Sequence, residues 1–122
     1  MRKAILIAGF PAEEEKILRQ VGILQGCRVY VIGQASYALT PAELLAGKEA
    51  EPGTDDSSAV ISRFLLMAGF ERRDLDSFLA VLRKSSVGQI PYKAMLTPTN
   101  QNWRFDRLYQ EIVREHEAMH RG

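Results

Sequence analysis

The polar side chains with the clearest capacity for chemistry lie between Ile90 and Trp103, in the run IPYKAMLTPTNQNW. Within this run, residues 92–96 are mostly apolar and predict a buried strand. Pro98 then breaks the pattern, and hydroxyl and amide side chains surround it. Such side chains can bind an anion, or they can bond to neighbouring backbone groups. Trp103 adds a large flat face with one N–H donor.

Two interpretations of residues 97–102 are open at this point. In the first, the segment is a strand-to-helix turn that is capped by an Asn and held by a packed Trp. In the second, it forms a small polar pocket at a helix N-terminus, where free N–H groups attract an anion. The polar side chains outnumber what one helix cap needs, so we expect the turn and Trp103 to present a concave surface for an anion or a partner segment.

A second candidate site comes from the tripeptide Ala-Gly-Phe, which follows an aliphatic segment at residues 8–10 and again at residues 68–70. A glycine in such a turn lets a ligand approach the backbone closely. Each turn is equally compatible with a purely structural role, in which the glycine makes a tight turn and the phenylalanine closes the core. The candidate ligand-binding residues of the two sites are Lys93, Thr97, Thr99, Asn100, Asn102, Trp103, Gly9, Phe10, Gly69 and Phe70.

A possible metal motif lies at the end of the sequence, where His116 and His120 are the first and last residues of the run HEAMH. This matches the H-E-x-x-H pattern of zinc proteases. Helix ends fray, and no further residue follows that could serve as a third ligand. We therefore expect no specific metal at these histidines, and no cofactor. Dinucleotide-binding and phosphate-loop glycine patterns are absent, and no Ser-His-Asp arrangement emerges, so no catalytic residue is assigned.

Composition limits the classes of function. The 122 residues carry a formal net charge of +1, with 46% apolar and 25% charged residues. These values are typical of one globular domain, and they give no basis for nucleic-acid binding. The short apolar run near the N-terminus ends in three glutamates, which excludes a signal peptide or a membrane span. The single cysteine, Cys27, excludes an internal disulfide and fits a cytoplasmic protein.

The elements that must position these side chains follow a repeated order. Aliphatic segments at residues 3–8, 28–32, 64–68 and 92–96 predict strands, and amphipathic segments between and after them predict helices. The chain thus divides into halves at residues 1–47 and 59–122, joined by a polar linker at residues 48–58. Ala-Gly-Phe and Leu-Thr-Pro occur in the same order in each half, which indicates an internal repeat.

This order predicts an α/β fold with a four-stranded parallel sheet, strand order 2-1-3-4 and helices on both faces. Both Ala-Gly-Phe turns would lie at one end, in a crevice between the first and third strands. A ferredoxin-like plaited sheet is the main alternative, but no hairpin signal supports it.

The run I-P-x-K-A-x-L-T-P-T-N-x-N-W, preceded by L-x-x-A-G-F, resembles a small bacterial family of unknown function. The resemblance covers roughly residues 63–115. It is carried by Ile90, Pro91, Lys93, Ala94, Leu96, Thr97, Pro98, Thr99, Asn100 and Trp103. It implies a small bacterial protein, with no activity, cofactor or catalytic residue to carry over.

We expect a cytoplasmic α/β module that binds a partner or a small anionic ligand without catalysis. One alternative is a small enzyme that acts on an anionic metabolite, with polar groups from Lys93, Thr97, Thr99 and Asn100. Another is a homodimer that uses an exposed edge strand or the helix next to Trp103.

Overall fold

The computed structural model describes residues 2–50 and 60–119. Within them the chain forms four strands, four α-helices and two short 3-10 helices, at Gln34–Ser36 and Asn100–Asn102. The strands are β1 (Ala4–Ala8), β2 (Arg28–Val31), β3 (Phe64–Ala68) and β4 (Tyr92–Met95). The helices are α1 (Ala12–Leu24), α2 (Pro41–Leu45), α3 (Arg72–Lys84) and α4 (Phe105–Met119). The α/β class and the β-α-β-α order of each half are confirmed. Most of the expected linker, residues 51–58, lies outside the described ranges.

The sheet has the predicted strand order, β2-β1-β3-β4, but it is mixed. β1 pairs with β2 in parallel, and β3 pairs with β4 in parallel. The central pair, β1 and β3, is antiparallel, with Leu6 opposite Leu66 and Ala4 opposite Ala68. The prediction of an all-parallel sheet is therefore wrong, and so is the prediction that both Ala-Gly-Phe turns lie at one end.

The prediction failed because two different two-fold axes can relate the halves of the chain. An axis along the strands makes the first strands of the two halves parallel and places their helices on opposite faces. An axis through the sheet makes those strands antiparallel and places both helices on one face. Right-handed crossovers within each half satisfy both arrangements, so the order of elements does not distinguish them.

The packing of the helices matches the second axis. α1 and α3 cover one face, where Leu18 and Phe78 pack with Ile5 and Leu65. α2 and α4 cover the other face, in a cluster that includes Leu44, Leu66 and Phe105. Since β1 and β3 are buried on both faces, all their side chains are apolar.

The two halves match closely in their first two elements. α1 and α3 each have 13 residues, and both are preceded by a left-handed glycine, Gly9 at φ 76° and Gly69 at φ 73°. The halves then diverge, because Ala4 pairs with Arg28 whereas Phe64 pairs with Tyr92, so the second connection is longer. A duplication as the origin of this similarity stays a prediction.

None of the helices found at residues 2–50 and 60–119 is long and apolar enough to cross a membrane.

Candidate functional site

The polar turn after β4 is organised by Thr97 and Asn100. The Thr97 amide donates to Asn100 Oδ1 at 2.8 Å, and the Asn100 amide donates to Thr97 Oγ1 at 3.0 Å. The Asn100 side chain also donates to the Met95 carbonyl at 3.1 Å. This reciprocal pair of bonds has the form of a capping box. The same form occurs in the first half, between Thr40 and Glu43 at the start of α2.

The N-terminus of α4 is satisfied by acceptors of the chain itself. The Phe105 amide donates to the Leu39 carbonyl at 2.8 Å, and the Asp106 amide donates to the Tyr37 carbonyl at 3.0 Å. The buried Asp106 carboxylate accepts the Arg107 amide, and Arg104 donates to both of its oxygens. An anion belonging to the chain thus lies at the positive end of this helix.

The remaining side chains of the turn, like that of Thr97, reach solvent. Thr99 and Asn102 are exposed, and Trp103 is half-buried, with the Arg107 guanidinium 5.3 Å from its ring centroid. The turn therefore consists of an internally bonded cap, Thr97 with Asn100, beside an accessible polar and aromatic rim. A ligand-binding role for these residues stays a prediction.

Gly9 and Phe10 lie at the carboxyl ends of β1 and β2, beside a shallow crevice of about 170 Å³. Gly9 approaches backbone of the same chain, because a Cβ there would lie 2.0 Å from the Ile61 carbonyl oxygen. Its own carbonyl accepts the Arg63 amide at 3.1 Å. Phe10 is half-buried against the core between α1 and α3. The close approach that requires a glycine is thus made by residues 61–62.

Gly69 and Phe70 lie at the opposite end of the sheet, because β3 runs against β1. The Phe70 ring packs edge-on against Phe78, with centroids 5.5 Å apart. The predicted crevice between β1 and β3, lined by both Ala-Gly-Phe turns, is therefore wrong. It requires the carboxyl ends of both strands at one edge, and the antiparallel pairing separates them.

Lys93 lies away from the polar turn. It is the second residue of β4, on the face that α3 covers, and Thr97 follows four residues later. At about 3.3 Å per residue, the two backbone positions are about 13 Å apart. Lys93 instead faces a cavity of about 280 Å³ between the end of α3 and the start of β4. The cavity is lined by Leu79, Leu82, Arg83, Gly88, Gln89, Ile90 and Lys93.

The charged form of Lys93 is disfavoured in this cavity. The Lys93 ammonium donates to the Ile90 carbonyl at 2.8 Å. Burial of the Lys93 side chain and, to a smaller extent, the nearby Arg83 guanidinium lower the pKa of Lys93 from its ordinary value. Two cations thus face a concave surface whose floor is formed by Leu82 and Ile90, both buried. Such a surface can bind an anion that also has an apolar part.

Arg83 was not among the candidates from sequence, because an arginine in a helical charge cluster usually faces solvent. Arg83 is exposed, and it also lines the cavity. A usable signal was present, however. A helix that returns antiparallel to its sheet ends next to the start of the following strand. The last turn of α3 and the first residues of β4 therefore had to meet, and each carries a cation.

The histidine pair is only partly described. The His116 ring packs edge-on against Tyr92, with centroids 5.3 Å apart, and His120 lies outside the described ranges. No group of three or more His, Cys, Asp or Glu side chains at residues 2–50 and 60–119 is placed to hold a metal ion.

Comparison with known proteins adds one match. No curated protein and no solved structure matches the chain. Residues 63–119, just under half of the chain, match a family model described as Domain of unknown function (DUF3783). The match begins just before β3 and ends with α4, so it includes the Lys93 cavity and the polar turn. The second half of this protein is therefore similar to a small family of unknown function.

Proposed function

We infer that the protein binds a small anionic ligand in the cavity between α3 and β4, without transforming it chemically. The observation that carries this proposal is the convergence of Arg83 and Lys93 on one concave surface. Nucleic acid is not the expected ligand, because the cavity is small and the formal net charge is only +1.

The electrostatics favour an anion. Burial and, to a smaller extent, the Arg83 guanidinium disfavour the charged form of Lys93 and so lower its pKa. A bound carboxylate or phosphate between the two cations would compensate both effects, because opposite charges within a few ångströms stabilise each other most where water is excluded. The ligand would therefore raise the pKa of Lys93 on binding.

The size and lining of the cavity limit the ligand class. A volume of about 280 Å³ is at the lower end for small-molecule sites. Leu79, Leu82 and Ile90 supply apolar contacts, while Gln89 supplies an amide that can donate to or accept from the ligand. These features suit a short organic acid better than a highly hydrated inorganic ion.

Isothermal titration calorimetry with hexanoate, hexanol and inorganic phosphate tests the proposal. We expect hexanoate to bind more tightly than hexanol, and Lys93→Met or Arg83→Gln to weaken hexanoate binding about tenfold or more. The affinity should also fall as the pH rises through the lowered pKa of Lys93, since the ligand prefers the ammonium form.

The matched control is Lys84→Gln, which removes a neighbouring exposed cation of α3 that does not line the cavity. Thermal melts of each variant separate loss of binding from loss of fold. Lys93→Met leaves a similar side-chain volume and removes a poorly solvated charge, so the fold should persist. Equal hexanoate affinities in wild type, Lys93→Met and Arg83→Gln would rule out the cavity as the site.

The enzymatic alternative stays a prediction in a narrower form. Lys93 does not lie with Thr97 and Asn100, so one small substrate cannot contact all the polar groups first considered for it. The homodimer and a cytoplasmic location also stay predictions.

A further inference from the structure

The outer edge of β2 pairs with no other strand in the part of the chain that the structure describes. β2 is the last strand of the sheet on its side and pairs only with β1 among the strands described. The Arg28 amide donates to the Lys3 carbonyl, just before β1, at 3.0 Å. The Ile32 amide, just after β2, donates to the Ile7 carbonyl at 2.8 Å. Backbone groups alternate in direction along a strand, so those of Val29 and Val31 point away from β1. An open edge of this kind is a template for another extended segment.

The surface around this edge is concave and combines apolar and basic side chains. The β2 edge groove, of about 520 Å³, includes Arg2, Arg19, Ile23, Arg28, Val29 and Tyr30. Ile23 on α1 is 68% exposed, and Val31 is 38% exposed. A smaller cavity of about 180 Å³ continues around the strand to the face covered by α2. The edge can therefore be reached from both faces of the sheet.

The charge of the groove selects its partner. Within residues 2–50 and 60–119, three arginines line the groove and no acidic residue does. Arg19 forms an ion pair with Glu15 at 3.7 Å. Arg2 and Arg28 pair with no carboxylate in the part of the chain that the structure describes. A second copy paired through β2 would bring its own Arg2 and Arg28 to the same interface, where the described groove lining offers no acidic residue to compensate them. A second copy is therefore disfavoured, and a negatively charged strand is favoured.

We propose that the outer edge of β2 binds an extended acidic peptide segment, which adds to the sheet as a fifth strand. Backbone bonds to Val29 and Val31 supply the pairing, and Arg2 and Arg28 select acidic side chains. Apolar residues at alternate positions of the peptide contact Ile23 and Val29. The groove lies at the β2 edge of the sheet and the Lys93 cavity lies at the opposite edge, next to β4, so the two proposals are independent.

Fluorescence anisotropy with a short labelled peptide of alternating glutamate and valine tests the proposal. We expect saturable binding that weakens with added salt, and little binding of the matching lysine–valine peptide. Removing both free cations, with Arg2→Gln and Arg28→Gln together, should weaken binding about fivefold, as two surface ion pairs of ordinary strength would. Arg72→Gln with Arg73→Gln, on the exposed start of α3, is the matched control and should leave binding unchanged.

Peptides methylated on alternate backbone nitrogens test the strand pairing without altering the protein. Two peptides are compared, one methylated at the odd-numbered positions and one at the even-numbered positions. One of them lacks the N–H donors that face β2 and should not bind, while the other keeps those donors and should bind. Equal effects of the two methylation patterns would refute strand addition. Tighter binding to oligo(dT) than to the acidic peptide, or a stable dimer in sedimentation equilibrium whose formation prevents the peptide from binding, would also overturn the proposal.

Discussion

The amide side chain of Asn100 connects the end of β4 to the turn that leads into α4. It accepts the Thr97 amide and donates to the Met95 carbonyl. We expect Asn100→Ala to lower the free energy of unfolding by about 0.5–2 kcal/mol, the range for a lost cap. Urea denaturation measures this change, with Asn102→Ala as the control.

Asn102 is exposed and has the same side chain, so its substitution should change stability by less than about 0.5 kcal/mol. An Asn100→Ala variant as stable as Asn102→Ala would show that the two bonds do not hold the turn. If that variant also lost a ligand, the anion-binding interpretation of the turn would regain support.

The sequence identified individual residues of the candidate sites but not the residues that they contact. Thr97 and Asn100 were identifiable because hydroxyl and amide side chains next to a proline form caps. Arg83 was not paired with Lys93, because they are ten residues apart and meet only through the packing of α3 beside β4. Asp106 was missed because its burial depends on the contact between α4 and residues 37–39.

At the scale of elements, α2 is a short helix that depends on its cap. The Glu43 carboxylate accepts from the Lys48 ammonium at 2.7 Å and from the Thr40 amide at 3.0 Å. These bonds lower the pKa of Glu43 to about 2, and the bond with Lys48 has the largest effect. Since an unfolded glutamate titrates near about 4.3, ionised Glu43 stabilises the fold above that pH. This contribution is lost as the pH falls from about 4.3 towards about 2.

Glu43→Gln separates the charge from the capping bond, because a glutamine can still accept the Thr40 amide. We expect wild type to be more stable than Glu43→Gln at neutral pH, and the difference to shrink on acidification through that window. Urea titrations at several pH values measure it, and Glu117→Gln, on the exposed end of α4, is the control. A difference that is independent of pH would contradict the role of the charge.

The bounds of the elements were largely predictable, whereas their directions were not. Continuous aliphatic residues at 3–8 and 64–68 predicted β1 and β3, and the amphipathic segments that follow them predicted α1 and α3. Hydrophobic periodicity reports which side of an element is buried. It does not report whether the second half lies parallel or antiparallel to the first.

At the scale of the whole molecule, each core contains side chains from both halves. The core under α1 and α3 joins Leu18 to Phe78, and the core on the other face joins Leu44 to Phe105. We therefore expect both halves to unfold in one transition.

Two probes in different halves can test this. Trp103 fluorescence reports the second half. The Cys27 thiol reports the first half, because it is buried and its burial raises its pKa, so the native thiol should react slowly with disulfide reagents. The urea midpoints for fluorescence and for thiol exposure should coincide. Exposure of Cys27 at a clearly lower urea concentration would show that the first half opens separately.

The antiparallel pairing of β1 with β3 makes the central seam self-complementary. Ala4 faces Ala68 while Ala8 faces Phe64, so each half offers its partner nearly the same aliphatic strand that it receives. A seam of this kind has the geometry of an isologous contact between two identical subunits, although here one chain supplies both sides. The seam itself cannot distinguish a half of its own chain from the corresponding half of another molecule. That discrimination rests on the covalent connection between the halves, which keeps the local concentration of the correct partner high.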